Sequence, residues 1–332
     1  MTIYDIAKEA GVSASTVSRV INNKPGLKAE TREKVMAIVN KYNFSLDENA
    51  RALVRQETKT IGLLVPDVRI NHYMMGVHNI IGYMAERGYC CVLLDTGFEN
   101  EARADYVKLI SQRRMQGAIF VGAGYQCAEV EEAVKLYFQD RPIVMINGGL
   151  DLPNVYSVSC DEVRGTAICF DHIFERGYKY PAYIGCDSKV GNDSRLAGMA
   201  ESIARHSVSR EVPVYMSPSP YECGYLETKA AMVEHPETDI LVYAADSYAV
   251  AGISALHDLG LKVPDDVSII TAEDSLYSIL FHPYITSLDT KIEVACEVAG
   301  YTLVDILDGM ERPKTLILEP EIRDRETTKN MS

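Results

Sequence analysis

The sequence predicts an α/β protein in which a small all-helical head precedes two doubly wound lobes of parallel sheet. Three observations predict it. From Thr60 onward, short β-branched runs alternate with amphipathic stretches, the pattern of buried parallel strands joined by helical crossovers. The alternation restarts near Pro181, which describes two similar lobes rather than one long sheet. Residues 1–59 have no such runs, and they carry ten cations against seven anions, a net of +3, whereas the rest of the chain stands at −17. A basic head on an acidic body fits a nucleic-acid-binding domain attached to a larger domain with another task.

The head reads as three short helices. Ile3, Ile6, Ala7 and Ala10 fall at helical spacing behind Thr2, a side chain suited to capping. Gly11-Val12-Ser13 breaks that helix, and Ser13 is placed to cap the next, Ala14 to about Asn23, with Val17, Val20 and Ile21 inward. Lys24-Pro25-Gly26 is a loop, and Thr31 to Tyr42 a third helix burying Val35, Ile38 and Val39. Residues 47–59 hold few apolar side chains, so they read as a linker helix that orders only on binding.

The first lobe takes strands at 61–67, 91–96, 117–122 and 142–148, with helices near 73–88, 101–114 and 128–138. The second takes strands at 181–186, 213–217, 239–246 and 267–274, with helices near 162–177, 192–206, 221–235 and 247–260. A last helix at 291–309 and a strand at 315–320 are placed to tie the lobes together. The expected division is a head at 1–46, a hinge at 47–59, a core at 60–326 and a tail at 327–332. Within the core, lobe 1 takes about 60–160 and 288–314, and lobe 2 about 161–287 and 315–326.

Composition narrows the function. With 47% hydrophobic and 24% charged residues the 332-residue chain is expected to be globular. No apolar run approaches the roughly 18 residues of a membrane helix, and the opening MTIYDIAKEA lacks a signal-peptide core, so a cytoplasmic protein without membrane contact is expected. The eight cysteines form no C-x-x-C pair and are read as thiols. There is no G-x-S-x-G, Walker loop or H-E-x-x-H, the histidines show no metal spacing, and Cys127 stands where a dinucleotide motif begun by Gly122 and Gly124 needs its third glycine. Neither enzymatic activity, nor a cofactor, nor a metal is expected.

Open parallel sheets bind ligands beyond the C-terminal ends of their strands. Here those ends carry Asp67, Asn71, Asp95, Asn147, Asp187, Asp246, Glu273 and Asp274, with His72 just after the first strand. About half of these are expected to serve turns and helix caps.

The head decides between function classes. Asp5-Ile6-Ala7, Ala10-Gly11-Val12-Ser13, Thr16-Val17-Ser18-Arg19-Val20 and Thr31-Arg32-Glu33-Lys34-Val35 together closely resemble the helix-turn-helix of the LacI/GalR family of bacterial regulators. The resemblance runs on through Ala50-Arg51-x-Leu53 and Thr60-Ile61-Gly62, then more loosely through Arg195-Leu-Ala-Gly198, Asp246, Pro264-x-Asp266-Val267-Ser268 and Ser287-Leu288. It implies a periplasmic-binding-protein-like core and a second helix lying in the major groove. Ser13, Ala14, Ser15, Thr16, Ser18, Arg19 and Asn22 match positions at the DNA, and Arg19 suits a guanine edge. Ala50 and Leu53 match the hinge, whose leucine wedges into the minor groove.

It further implies a homodimer on a pseudo-palindromic double-stranded DNA operator, acting as a repressor under a small sugar-like effector between the lobes. The effector residues would be Arg195 and Asp246 as the main clamps, with Asn71, His72, Tyr73, Asn147 and Glu273 around them. Regulation by a protein co-effector is the alternative, and an enzyme on a doubly wound scaffold a third. The chain departs from the family pattern at Leu46-Asp47, at Ala245 and at Thr271-Ala272-Glu273-Asp274. These changes place a standard sugar effector in question, and Glu273 with Asp246 is expected to leave the pocket acidic. The leucine-repeat tail of tetrameric members is missing after Arg325, which points to a dimer.

Overall fold

The computed structural model describes residues 1–21, 24–42, 58–186, 189–217 and 222–329. It divides into two compact units, Met1–Thr58 and Lys59–Ser332. The hinge reading and the residues Asn22, Ala50 and Leu53 lie outside the described residues.

The first unit contains helices α1 (Ile3–Ala10), α2 (Ala14–Ile21) and α3 (Ala29–Lys41). Thr2 opens α1 with a reciprocal cap: Asp5 N–H donates to Thr2 Oγ1 at 3.3 Å, and Thr2 N–H donates to Asp5 Oδ2 at 2.8 Å. Gly11 ends it at φ +67°, a left-handed conformation that costs glycine nothing. Ile6, Ala10, Val17, Val20 and Val35 close a small core. The three helices are those the apolar spacing predicts, although α3 begins two residues before Thr31.

The second unit alternates strands and helices. Lobe 1 is built from β1 (Thr60–Val65), α4 (Asn71–Glu86), β2 (Cys90–Asp95), α5 (Asn100–Gln112), β3 (Gly117–Val121), α6 (Ala128–Tyr137), β4 (Ile143–Ile146) and β5 (Val155–Cys160). Lobe 2 is built from α7 (Glu162–Glu175), β6 (Pro181–Cys186), α8 (Lys189–Arg205), β7 (Val214–Ser217), α9 (Glu227–Glu234), β8 (Ile240–Tyr243), α10 (Asp246–Asp258), β9 (Ser268–Glu273), α11 (Tyr277–Leu280) and β10 (Thr286–Asp289). Then come α12 (Ile292–Leu307), β11 (Thr315–Leu318) and β12 (Glu321–Arg323). The first sheet runs β11-β5-β4-β3-β1-β2, all parallel. The second runs β12-β10-β9-β8-β6-β7, parallel except for β12. Each sheet is covered on both faces by apolar clusters, and each fully buried Ile, Leu or Val contributes about 1.5–3 kcal/mol.

The lobe boundaries need correction. The strand at 315–318, expected in lobe 2, pairs with β5 in lobe 1, with Thr315 opposite Ser157. The cause is α12, which packs Ile292, Ala295, Ala299 and Leu303 into the lobe 1 core beside Ile61 and Ile119 and delivers the chain to that sheet's edge. Residues 288–289, expected in lobe 1, belong to β10 in lobe 2. The chain thus crosses between lobes after β5, after β10 and after β11. Nor are residues 327–329 a loose tail: Thr327 is buried, with Thr286 N–H donating to its Oγ1 at 2.8 Å and Ile269 N–H to its carbonyl at 2.8 Å.

Candidate functional sites

In the head, the start of α2 gathers hydroxyls. Thr16 N–H donates to Ser13 Oγ at 3.2 Å, and Ser13 Oγ lies 2.7 Å from the Ser15 hydroxyl and 2.9 Å from the Thr16 hydroxyl. Val17 and Val20 point into the core, so Ser15 and Arg19 are exposed on the opposite face, with Ala14, Thr16 and Ser18 half-buried between. A helix N-terminus ringed by hydroxyls suits a phosphate, and an exposed arginine on the same face suits a base edge. The geometry therefore assembles six of the seven α2-region candidates, Asn22 lying outside the described residues.

Between the lobes lies a cavity of about 1070 Å³. Gln126, Asn147 and Gly148 line it from lobe 1, and Glu162, Val163 and Ser194 from lobe 2. Asn147 holds φ +56°, and its Oδ1 accepts Cys160 N–H at 3.0 Å, which fixes the loop after β4 at the cavity wall. Ser194 leads into Arg195, whose Nη2 stands 3.7 Å from Glu162 Oε1. The Arg195 side chain is 29% exposed. Burial disfavours its charge, but Tyr183, Glu162 and Glu273 beside it raise its pKa above the ordinary arginine value.

The start of α4 faces the same charges. His72 is 8% exposed, and burial, aided by Arg195, lowers its pKa to about 4, so the ring is neutral near pH 7. Among the described residues His72 Nδ1 and Asn71 Oδ1 are buried with no hydrogen-bond partner. Tyr73 is pushed up to about 12 by burial and by Glu273. Glu273 ends β9 at φ +142°, outside the comfortable region for a side-chain-bearing residue. Burial and the neighbouring Asp246 raise it to about 8.

Two expectations are corrected here. Asp246 is not an open clamp: it is 0% exposed, and both carboxylate oxygens are occupied. Its Oδ1 accepts the Thr271 hydroxyl and, at 2.9 Å, that of Ser287; its Oδ2 accepts Ser275 N–H at 2.6 Å. It ties the ends of β9 and β10 to α10. Nor do Asp246 and Glu273 supply two free negative charges, because Glu273 keeps its proton near neutrality. Sequence reasoning missed Glu162 and Tyr183 beside Arg195; Glu162 in the first turn of a helix reads as a dipole complement, and Tyr183 as an ordinary strand residue.

Among the described residues no group of three or more His, Cys, Asp and Glu is arranged to hold a metal ion, and no helix is long and apolar enough to cross a membrane.

A three-helix head with an exposed arginine-bearing second helix, in one chain with a two-lobed cleft, defines a DNA-binding transcriptional regulator. The comparisons agree: residues 2–46 match the model of bacterial regulatory proteins of the lacI family, and residues 170–328 that of the periplasmic binding protein-like domain. The chain therefore carries a lacI-family helix-turn-helix domain and a periplasmic-binding-protein-like domain, and its full-length relatives are regulators of the LacI family. A transcriptional regulator of Lachnoclostridium phytofermentans is 28% identical, covering 99% of both chains. Catabolite control protein A of Streptococcus mutans is 27% identical over 99% of this chain and 98% of its own. The transcriptional repressor PurR of Vibrio parahaemolyticus is 26% identical over 100% and 99%. In fold, the chain matches a lac repressor dimer bound to operator and the anti-inducer ONPF, with a TM-score of 0.87 and 22% identity over 98% of each chain. It also matches a complex of the regulator CelR with cellobiose, with a TM-score of 0.71 and 23% identity over 99% and 100%. These relatives are regulators, and this chain is a regulator rather than an enzyme.

Proposed function

We propose that the protein is a sequence-specific repressor, acting as a homodimer on a pseudo-palindromic operator, and controlled by a small sugar-like molecule between its lobes. The carrying observation is the 1070 Å³ cavity lined by Asn147 and by Glu162, the ion partner of Arg195, together with the buried, unpartnered Asn71 Oδ1 and His72 Nδ1, which lie outside its lining. Buried polar atoms without partners are costly, and a ligand rich in hydroxyls, each both donor and acceptor, satisfies them. Arg195, Asn71, His72, Tyr73, Asn147 and Glu273 are its proposed contacts, with the protonated Glu273 acting as a donor. Asp151, Asp161 and Glu162 outnumber Lys314 along the cavity wall, which favours a neutral polyol or an amine-bearing sugar over a phosphate. In the head, Ser13, Ala14, Ser15, Thr16, Ser18 and Arg19 meet the operator, with Asn22, Ala50 and Leu53 as further contacts inferred from the family resemblance. The relatives named for an operator complex and a cellobiose complex support both halves of this reading.

A panel of sugars, sugar phosphates, nucleosides and purines, scored by thermal shift and then by operator affinity, tests it. A neutral or amino sugar is expected to stabilise the wild type and to bind Arg195→Ala at least tenfold more weakly, about 1.4 kcal/mol. Equal affinity in the variant removes Arg195 from the site, and a phosphorylated sugar as the tightest ligand overturns the charge argument.

A further inference from the structure

The loop after α2 is held at several independent points, and its purpose is legible from what it presents. Lys24 N–H donates to Arg19 O at 2.9 Å. Arg32 Nη2, from the first turn of α3, donates to the carbonyl of Lys24 at 2.9 Å. Leu27 packs against the head core. Gly26 turns the chain at φ +85°. So strapped, the loop offers the next carbonyl, Pro25 O, to the exposed guanidinium of Arg19, whose Nη2 donates to it at 2.9 Å. A Cβ on Gly26 would stand 3.3 Å from the same Nη2.

We infer that the Lys24–Gly26 loop is a positioning element for base reading: Pro25 O fixes the Arg19 guanidinium in one orientation before DNA arrives, and Gly26, at positive φ, leaves it room, since a side chain there would crowd it. The inference rests on the proposed role of Arg19 as a guanine reader. An unrestrained arginine samples many rotamers and must lose them on binding. One hydrogen bond from its own loop occupies one of five donors and leaves an edge of the planar fork for O6 and N7 of guanine. The strap thus moves part of the ordering cost from the complex to the folding of the head. It also sets specificity, because a fork held at a fixed angle rejects bases that a mobile one tolerates.

The experiment uses the full chain. The wild type selects its operator from a pool of random duplexes. Affinity is then measured for that operator and for one with the half-site guanine replaced, in wild type, Arg19→Ala, Gly26→Ala, Gly26→Asn, Pro25→Ala and the double variant Arg19→Ala/Gly26→Asn. Asparagine tolerates positive φ, so Gly26→Asn adds a side chain with little backbone strain and covers the case where Gly26→Ala unfolds the head. Arg19→Ala is expected to abolish a preference of about 5- to 150-fold. The Gly26 variants are expected to reduce it by about two- to tenfold, the cost of ordering one long side chain, with the salt dependence unchanged. Pro25→Ala keeps the carbonyl and is expected to keep the preference. In the double variant Gly26→Asn adds nothing to the loss of preference. If Arg19→Ala loses the preference but Gly26→Asn keeps it, the positioning role is overturned while the guanine reading stands. If Arg19→Ala keeps it, the guanine reading fails and takes the positioning role with it.

Discussion

The backbone N–H of Asp246 donates to Glu273 Oε2 over 3.3 Å, so the first residue of α10 is tied to the last of β9. The contact places two buried carboxyl groups side by side: burial raises the proton affinity of both, and Asp246 raises that of Glu273 further.

A pH dependence follows. Glu273 is raised from 4.5 to about 8, so its contribution to stability is fully present below about pH 4.5 and is lost as pH rises through about 8. His72 behaves oppositely: lowered from 6.5 to about 4, its contribution is present above 6.5 and lost as pH falls through 4. Between pH 6.5 and 8.5 Glu273 therefore acts without His72 against it. Urea midpoints at those two pH values are expected to fall more in the wild type than in Glu273→Gln, which cannot ionise. Equal falls would refute the assignment.

Asp246→Ala removes the acceptor for Thr271, Ser287 and Ser275 N–H together. Leaving buried donors without partners is expected to cost about 2–5 kcal/mol in urea unfolding. A loss below 1 kcal/mol would mean that this carboxyl is not the strut described above.

One helix carries two glycines with opposite expectations. At Gly76 in α4 a Cβ would collide with the Cys296 side chain and come within 3.1 Å of Ile292 O. At Gly82, also in α4, it would meet nothing within 4 Å. Gly76→Ala is expected to destabilise by about 1–3 kcal/mol. Gly82→Ala is expected to stabilise by about 0.5–1 kcal/mol through helix propensity. Thermal unfolding at fixed protein concentration compares them, and changes of the same sign would contradict the packing of α4 on α12.

The proposed dimer has a surface to use. Leu276, Ile279, Leu280, Phe281 and Tyr284 are all exposed within nine residues around α11, an apolar concentration that a lone chain leaves in water at a cost. Sedimentation at micromolar concentration is expected to show a dimer that Leu280→Asp weakens at least tenfold. A wild-type monomer would overturn the proposal.

The head was the most legible part, because its apolar positions repeat at helical spacing between a capping threonine, a glycine and a capping serine. The central strands were legible as β-branched runs. Val155–Cys160, Thr286–Asp289 and Glu321–Arg323 were not: they are short and half polar, so nothing in their composition separates them from loops. The lobe of residues 315–318 was misplaced because strand order depends on where α12 packs, not on local pattern. At the cleft, the sequence located the strand ends but not the direction of their side chains. Asp246 turned inward because three donors converge on it, and those donors come from residues 271, 275 and 287.

The three crossings between the lobes have a consequence for the order of assembly. On the ribosome the head emerges before the lobes and contains all the residues of its own core. Neither lobe is so fortunate. The first sheet waits for β11 and the second for β12, so both gain their last edge strand only after α12 has been made. A nascent chain stalled before Thr315 would display a finished DNA-reading head on two unfinished lobes, with open strand edges available to other chains.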